Sequence, residues 1–216
     1  MNLKNKIFIS LNGDLRSGFK PDLSVFKETI AVDGGARFFE VSDEIPDVLI
    51  GDLDSVSDNV LKEYRDNGVK ILKFPAKKDL SDFELAINYI KERYSHADIT
   101  IVGFYSNDRI DHFLFNIEVL KRLKGYDVKI ISKTFIMYLL NRGKHELGVD
   151  KGCTISMLPI SQEVLVDDSE GFEYPLKEEH LIQGSSLSLS NITKTSRILL
   201  KIREGQLLVL IPKEKI

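Results

Sequence analysis

The sequence predicts an α/β N-terminal domain, a mostly parallel sheet with helices on both faces, followed by a C-terminal all-β sandwich. Up to about Lys133, short β-branched runs alternate with helical patterns, and that alternation implies a parallel sheet covered by helices. Beyond it the apolar runs are separated by Gly, Pro, Asn and Asp, the texture of a small sandwich. At 216 residues, 43% hydrophobic and 29% charged, the chain is long enough to bury a core in each part. The expected domains are residues 1–133 and 134–216, with no repeat, low-complexity tract or long linker between them.

In chain order, strands are expected over Lys6–Ser10, Thr29–Val32, Asp47–Ile50, Lys70–Phe74, Asp98–Val102 and Asp127–Ser132. Helices are expected over Ala36–Val41, Asp58–Asn67, Asp82–Tyr94 and His112–Leu123. The Asp82 helix is well specified: Ser81 and Glu84 have capping-box spacing, and Phe83, Ala86, Ile87, Ile90 and Tyr94 keep a helical period. The His112 helix carries Phe113, Leu114, Ile117, Leu120 and Leu123 on one side and stops at Gly125. In the second part, strands are expected over Phe135–Leu140, Thr154–Pro159, Glu163–Val166, Ser186–Ser190, Arg197–Ile202 and Gln206–Ile211. Arg203-Glu204-Gly205 reads as a short hairpin connection between the last two.

Composition excludes several classes. A net charge of -3 without a basic block gives no reason to expect nucleic acid. Cys153 is alone, so no internal disulfide forms; a buried thiol in a reducing cytoplasm is the expectation. No long apolar run follows Met1-Asn2-Leu3-Lys4-Asn5-Lys6, so no signal peptide is expected, and no apolar stretch approaches the roughly 20 residues of a membrane span. P-loop, dinucleotide-glycine, nucleophile-elbow and Cys/His metal patterns are missing.

Chemistry-bearing residues cluster at strand ends, where open α/β sheets bind ligands. Gly51-Asp52-Leu53-Asp54-Ser55 follows a buried strand, and acids at i and i+2 present the hard oxygens that Mg²⁺ prefers. Read as an EF-hand, the same segment has Val56 and Ser57 at positions 5 and 6 and a strand before it, which rules that calcium loop out. Asp33-Gly34-Gly35-Ala36 ends another strand and opens a helix with exposed N–H groups. Lys77, Lys78, Asp79 and Asp82 introduce the capped helix, offering a phosphate-neutralising lysine and a third acid. Arg109, Asp111, His112 and Asn116 gather a planar cation, a carboxylate and a helix N-terminus at one strand end, a natural phosphate site.

Together these motifs resemble the thiamine pyrophosphokinase family, in order and in spacing. Those matched are Asp33-Gly34-Gly35-Ala36, Pro46-Asp47 with Gly51–Ser55, Lys78-Asp79 with Ser81-Asp82-Phe83-Glu84, and Arg109–Asn116. The likeness continues into Gly171–Leu176, Gly184-Ser185 and Ser190-Asn191. It implies an ATP-binding α/β domain, a thiamine-binding sandwich, a homodimer, and Mg²⁺-dependent transfer of pyrophosphoryl from ATP to the thiamine hydroxyl, releasing AMP. In that reading Asp52, Asp54 and Asp82 hold Mg²⁺, Arg109 stabilises phosphate charge, and Asp111 completes the polar shell and can accept the hydroxyl proton. Asp33, Gly34, Gly35, Lys78, Asp79, Arg109, His112 and Asn116 would bind ATP, and Ser188, Ser190 and Asn191 would form part of the thiamine pocket. The chain departs in two places: Asn107-Asp108 stand where the family usually has Gly-Gly, and Ile192 follows Ser-Asn where bacterial members often have Glu. The chain has no Trp, so aromatic stacking on thiamine falls to Phe or Tyr.

Two rivals stand beside this reading. Asp52-Leu53-Asp54-Ser55-Val56 resembles the nucleophile loop of haloacid-dehalogenase phosphatases, although there the loop follows the first strand. A nucleotide- or thiamine-binding regulator without catalysis is the other, favoured only by Asn107-Asp108.

Overall fold

A computed structural model describes residues 5–15 and 19–213. Residues 1–4, on which the signal-peptide expectation rests, lie outside the described residues. The chain divides into two compact units: residues 1–122 with 130–133, and residues 123–129 with 134–216.

The first unit is built on β1 (Asn5–Ser10), β2 (Glu28–Val32), β3 (Val48–Gly51), β4 (Lys70–Lys73) and β5 (Ala97–Val102). They pair in parallel in the order β5-β1-β2-β3-β4. The register sets Ile7 opposite both Glu28 and Ile99. Ile7, Phe8 and Ile9 point alternately to opposite faces, and all three are buried, so both faces of the sheet are covered. The helices are α1 (Ala36–Ser42), α2 (Asp58–Asp66), α3 (Asp82–Arg93) and α4 (Ile110–Leu120). On one face Phe8, Ala31 and Leu49 meet Phe38 and Phe39 of α1 and Val60, Leu61 and Tyr64 of α2 in a single core cluster.

Local signals explain the helix starts. Ser57 and Ser81 are extended residues whose hydroxyls accept from the N–H groups of Val60 and Glu84, capping α2 and α3. Asp82 and Glu84 lie in the first turn of α3 and Lys91 and Arg93 in its last, matching the helix dipole at both ends. Arg109 caps α4 without a side-chain bond, and α4 begins two residues before the expected His112. Leu114 is exposed and does not join the buried stripe, because the first two turns of α4 bury little on that side.

The second unit is antiparallel. Its strands are β7 (Phe135–Leu140), β8 (Gly143–Gly148), β9 (Thr154–Pro159), β10 (Glu163–Glu170), β11 (Lys177–Ile182), β12 (Asn191–Ile192), β13 (Arg197–Glu204) and β14 (Leu207–Pro212); β6 (Asp127–Ile131) is divided between the units. One sheet runs β11-β10-β13-β8. The other strands pair β12-β9-β14-β7. Leu140, Ile155, Met157 and Val209 from the second set pack with Val164, Leu181, Leu200 and Ile202 from the first. This is the expected sandwich.

Four expectations need correction. Ser186–Ser190 is a turn segment rather than a strand; Leu187 and Leu189 stand exposed, while the Ser188 hydroxyl turns inward to donate to the Met157 carbonyl. Arg203-Glu204-Gly205 is no hairpin, since β13 pairs with β8 and β10 whereas β14 pairs with β7 and β9, so the chain crosses between sheets there. β8 and β11 lacked a sequence signal because charged residues dominate them: Lys144, His145 and Glu146 in one, and Lys177, Glu178, Glu179 and His180 in the other. Cys153 is half-buried rather than buried, and the Thr193 hydroxyl lies 3.4 Å from its Sγ.

Candidate active site

Beyond the carboxyl ends of β1, β2, β3 and β5 the first unit forms a cleft of about 400 Å³. Every strand end contributes. Asn12 and Gly13 follow β1, Asp33 follows β2 and Asp52 follows β3. Lys78 and Asp82 come from the loop before α3 and from its first residue; Arg109, His112 and Asn116 come from the loop before α4 and from α4 itself.

The Asp52–Asp54 loop is shaped by its apolar middle. Leu53 is buried in the core with a positive φ of 69°, and this turn leaves both flanking carboxylates outside the core. The N–H of Asp54 donates to Asp52 Oδ1 at 3.2 Å and the Ser55 hydroxyl to Asp54 Oδ1 at 3.1 Å. Asp33 also has a positive φ, 46°, and its Oδ1 is buried with no hydrogen-bond partner among the described residues. One oxygen from each of Asp33, Asp52 and Asp54 lies within 4.8 Å of the others. A small side-chain rotation brings such oxygens to the separation of about 3–4 Å between ligands of one octahedral Mg²⁺. This acid set, with an orphaned buried oxygen, fits a hard divalent cation. Asp82 is outside that trio: its Oδ1 lies 3.1 Å from Lys78 Nζ, which is also 3.7 Å from Asp52 Oδ2. Burial pushes the Asp82 carboxyl up, Lys78 opposes that rise, and the nearby charges of Asp33 and Asp52 add to it.

On the other wall Arg109 folds back on its own helix start. Nε donates to Asp111 Oδ1 at 3.0 Å and Nη2 to Oδ2 at 2.8 Å, and the same Nη2 meets His112 Nε2. Hydrogen bonding to the Arg109 guanidinium holds the Asp111 carboxyl down to about 2. Asn116 Nδ2 donates to the Phe104 carbonyl at 3.3 Å, tying α4 to the end of β5. Asn107 and Asp108 have negative φ, so this loop takes side chains without backbone strain. Asn107 is held locally, its Oδ1 accepting from the Tyr105 hydroxyl at 2.7 Å and its N–H donating to Asp14 Oδ2 at 3.3 Å.

The cleft thus gathers Asp33, Asp52, Lys78, Asp82, Arg109, His112 and Asn116. Gly34 and Gly35 are buried at the turn into α1, where a Cβ on Gly35 would fall 2.0 Å from the Ser10 carbonyl oxygen. Asp54, Asp79 and Asp111 do not line the cleft, and all three are exposed. Sequence reasoning missed Asn12 and Gly13, although Asn12-Gly13-Asp14 follows the first strand directly, as the other motifs follow theirs.

Ser188, Ser190 and Asn191 belong to the second unit. Asn191 is 5% exposed. Its Oδ1 accepts from the N–H groups of Tyr174 at 3.2 Å and Ile192 at 2.8 Å, and its Nδ2 donates to the Tyr174 carbonyl at 2.7 Å. Ser190, at φ 58°, donates its N–H to Ser156 Oγ. The clamped Tyr174 leaves its ring 67% exposed.

Residues 22–132 match the family model for the thiamin pyrophosphokinase catalytic domain, and residues 144–207 match that for the thiamin pyrophosphokinase vitamin B1 binding domain. The chain is 28% identical over 197 residues to the thiamine pyrophosphokinase of Bacillus subtilis, covering 88% of this chain and 91% of that one. It is 26% identical over 196 residues to thiamine pyrophosphokinase 1 of Arabidopsis thaliana, covering 80% and 73%. The crystal structure of the Bacillus subtilis enzyme superposes with a TM-score of 0.78 at 25% identity, over 98% of this chain and 100% of that one. That of the Geobacillus thermodenitrificans thiamin pyrophosphokinase gives 0.75 at 25% identity, over 97% and 98%.

Proposed function

We propose, from the premise that the chain belongs to the thiamin pyrophosphokinase family, that it moves the pyrophosphoryl group of ATP to the hydroxyl of thiamine. Thiamine diphosphate and AMP are the products. The observation that carries the residue assignment is the gathering of Asp33, Asp52 and Asp54 at a cleft that Asp33, Asp52, Lys78 and Arg109 line. Acids and cations so arranged suit a polyphosphate with its metal, and neither covalent nucleophile nor redox group is required.

In this reading Asp52 and Asp54, with Asp33, hold Mg²⁺, which when bound neutralises the triphosphate and withdraws charge from the β-phosphorus. Asp82 is the partner of Lys78 in the free protein. Lys78 and Arg109 take phosphate oxygens, Arg109 through the guanidinium N–H groups that Asp111 leaves free. Gly34, Gly35, His112 and Asn116 shape the nucleotide end of the cleft. Asp79, exposed and away from the lining, is left a peripheral part. The thiamine oxygen attacks the β-phosphorus, the bond from that phosphorus to the α,β-bridging oxygen breaks, AMP leaves with that oxygen, and the hydroxyl proton passes to solvent. Asp111, with its carboxyl held near 2, is a poor acceptor for that proton at neutral pH. Its part is to hold the Arg109 guanidinium against the start of α4.

Thiamine falls to the second unit, with Ser188, Ser190 and Asn191 organising its wall. Because Ser188 and Asn191 spend their polar atoms inside the protein, they act by shaping the Tyr174 and Leu189 surface. A homodimer is part of the proposal: Ile110, Leu114 and Phe115 on α4 are 47%, 57% and 73% exposed, an apolar face beside Arg109 that a second copy would cover. No helix of the described residues is long and apolar enough to cross a membrane, and a lone Cys153 suits a reducing cytoplasm. The test is incubation with thiamine, ATP and Mg²⁺ followed by separation of the nucleotides. AMP with thiamine diphosphate supports the reading; ADP, free phosphate or no turnover contradicts it.

A further inference from the structure

Lys78 stands in an unusual place for a lysine. Its side chain is only 14% exposed, while the adjacent Lys77 is exposed. Its ammonium lies between the carboxylates of Asp82 and Asp52, at 3.1 and 3.7 Å. Asp33 and Asp54 bring further negative charge to the same strand ends. Two carboxylates thus share one inward-reaching lysine, and one of them, Asp52, is gathered with two further acids. Taking carboxylates out of water is costly without a neighbouring cation, and the pair gains more here than it would on an open surface. A lysine is a compact charge on a flexible four-carbon stem, so it can leave without moving the backbone.

We propose that Lys78 is an internal counter-cation that occupies the carboxylates of Asp52 and Asp82 and yields them only when phosphate oxygens draw its ammonium away. The inference rests on the polyphosphate reading above. It adds an order to it: Lys78 keeps the acid cluster neutralised in the free protein, and its release makes all the acids available only once nucleotide is seated. The free protein therefore resists stray divalent cations, and the site favours the metal that arrives with polyphosphate. Lys78 meets the carboxylates and the phosphate in turn in this scheme, so its removal should strengthen one ligand while weakening another. A lysine that served only as a phosphate contact would weaken nucleotide binding alone.

The test is Mn²⁺ binding to the nucleotide-free protein, measured by calorimetry and by the loss of the free-ion paramagnetic resonance signal. Wild type is compared with Lys78→Met, Lys78→Gln and Lys77→Met, each checked for folding by circular dichroism. Lys77→Met removes the same formal charge from an exposed neighbour and controls for general electrostatics. We expect Mn²⁺ affinity to rise about tenfold or more in both Lys78 variants, and to change less than about twofold in Lys77→Met. ATP affinity measured without metal should fall in the Lys78 variants. Equal Mn²⁺ affinity in wild type and the Lys78 variants overturns the proposal. So does an equal gain in Lys77→Met. Tightened Mn²⁺ binding with unchanged ATP affinity overturns the transfer of Lys78 to phosphate. Because the metal arm contains neither nucleotide nor thiamine, failure of the turnover reaction is read separately from failure of this proposal.

Discussion

Asn191→Ala separates support from contact in the second unit. The side chain makes three hydrogen bonds: from the N–H groups of Tyr174 and Ile192 at 3.2 and 2.8 Å, and to the Tyr174 carbonyl at 2.7 Å. Truncation leaves those backbone groups to find water in a place where the side chain was 5% exposed. A net value of about 1 kcal/mol per bond, with some recovery by water, gives a loss of about 2–3 kcal/mol. That corresponds to a melting temperature lower by roughly 4–12 °C for a chain of this size. The loop from Phe172 to Leu176 loses its clamp at Tyr174 and keeps the backbone bond from the Glu173 N–H to the Ile192 carbonyl, so the apparent KM for thiamine should rise at least about tenfold while that for ATP changes less than about twofold. Thermal unfolding and separate titrations of the two substrates read both effects. Asn191→Asp keeps the acceptor but loses the donor and introduces a buried charge, so it should be no better. A melting temperature within about 1 °C of wild type would refute the clamp. A matched rise in both KM values would reduce the residue to a general fold support, and an unchanged thiamine KM would move the thiamine wall elsewhere.

Asp52→Asn and Asp54→Asn should each lose turnover by about a hundredfold or more with circular dichroism unchanged, because an amide keeps the shape but not the charge that holds Mg²⁺; near-normal Mg²⁺-dependent rates would remove the metal assignment. Asp33→Asn should also lose turnover yet melt about 2–4 °C higher, since it relieves repulsion among the gathered acids and Asn tolerates the positive φ of 46°; a lower melting temperature argues against crowded charge there. The Asp82 carboxyl is raised in the folded state, so its contribution to stability is present at low pH and lost as pH rises through the folded value. The melting temperature of Asp82→Asn relative to wild type should therefore climb as pH rises above the ordinary carboxylate range, and a flat difference sinks the idea. Gly103→Ala should fold poorly, because φ is 65° and the added Cβ would sit 2.0 Å from the Leu11 carbonyl oxygen; wild-type expression and melting would contradict the close approach. Phe115→Glu should shift the mass measured by light scattering from dimer to monomer, and an unchanged mass would place the interface off α4.

The first unit was legible because each element carries its own local signal. Alternating β-branched strands, the serine cap at Ser81, and acids directly after strands need no long-range information. The cleft was legible for the same reason, since parallel topology carries every strand's carboxyl end to one edge. Asn12 was missed because an Asn-Gly pair reads as an ordinary turn until Asp33 and Asp52 are known to lie beyond the neighbouring strand ends. The pairing of Lys78 with Asp82 was hidden too: i and i+4 spacing across a helix start does not reveal which acid a lysine will face. In the second unit, β8 and β11 have too many charges to show strand alternation, and partner strands supply what the sequence withholds. Ser186–Ser190 failed in the opposite sense. Its alternation is real, but Leu187 and Leu189 face solvent, a pattern that period alone cannot separate from a half-buried strand.

The central claim is that two phosphates move together from ATP at the Asp33–Asp52–Asp54 cleft. ATP labelled at the γ-phosphate, mixed in single turnover with the protein, thiamine and Mg²⁺, tests it most directly. All transferred label should end at the terminal phosphate of thiamine diphosphate, with one AMP per product and no ADP. Label in free phosphate, or ADP as the nucleotide product, would contradict it.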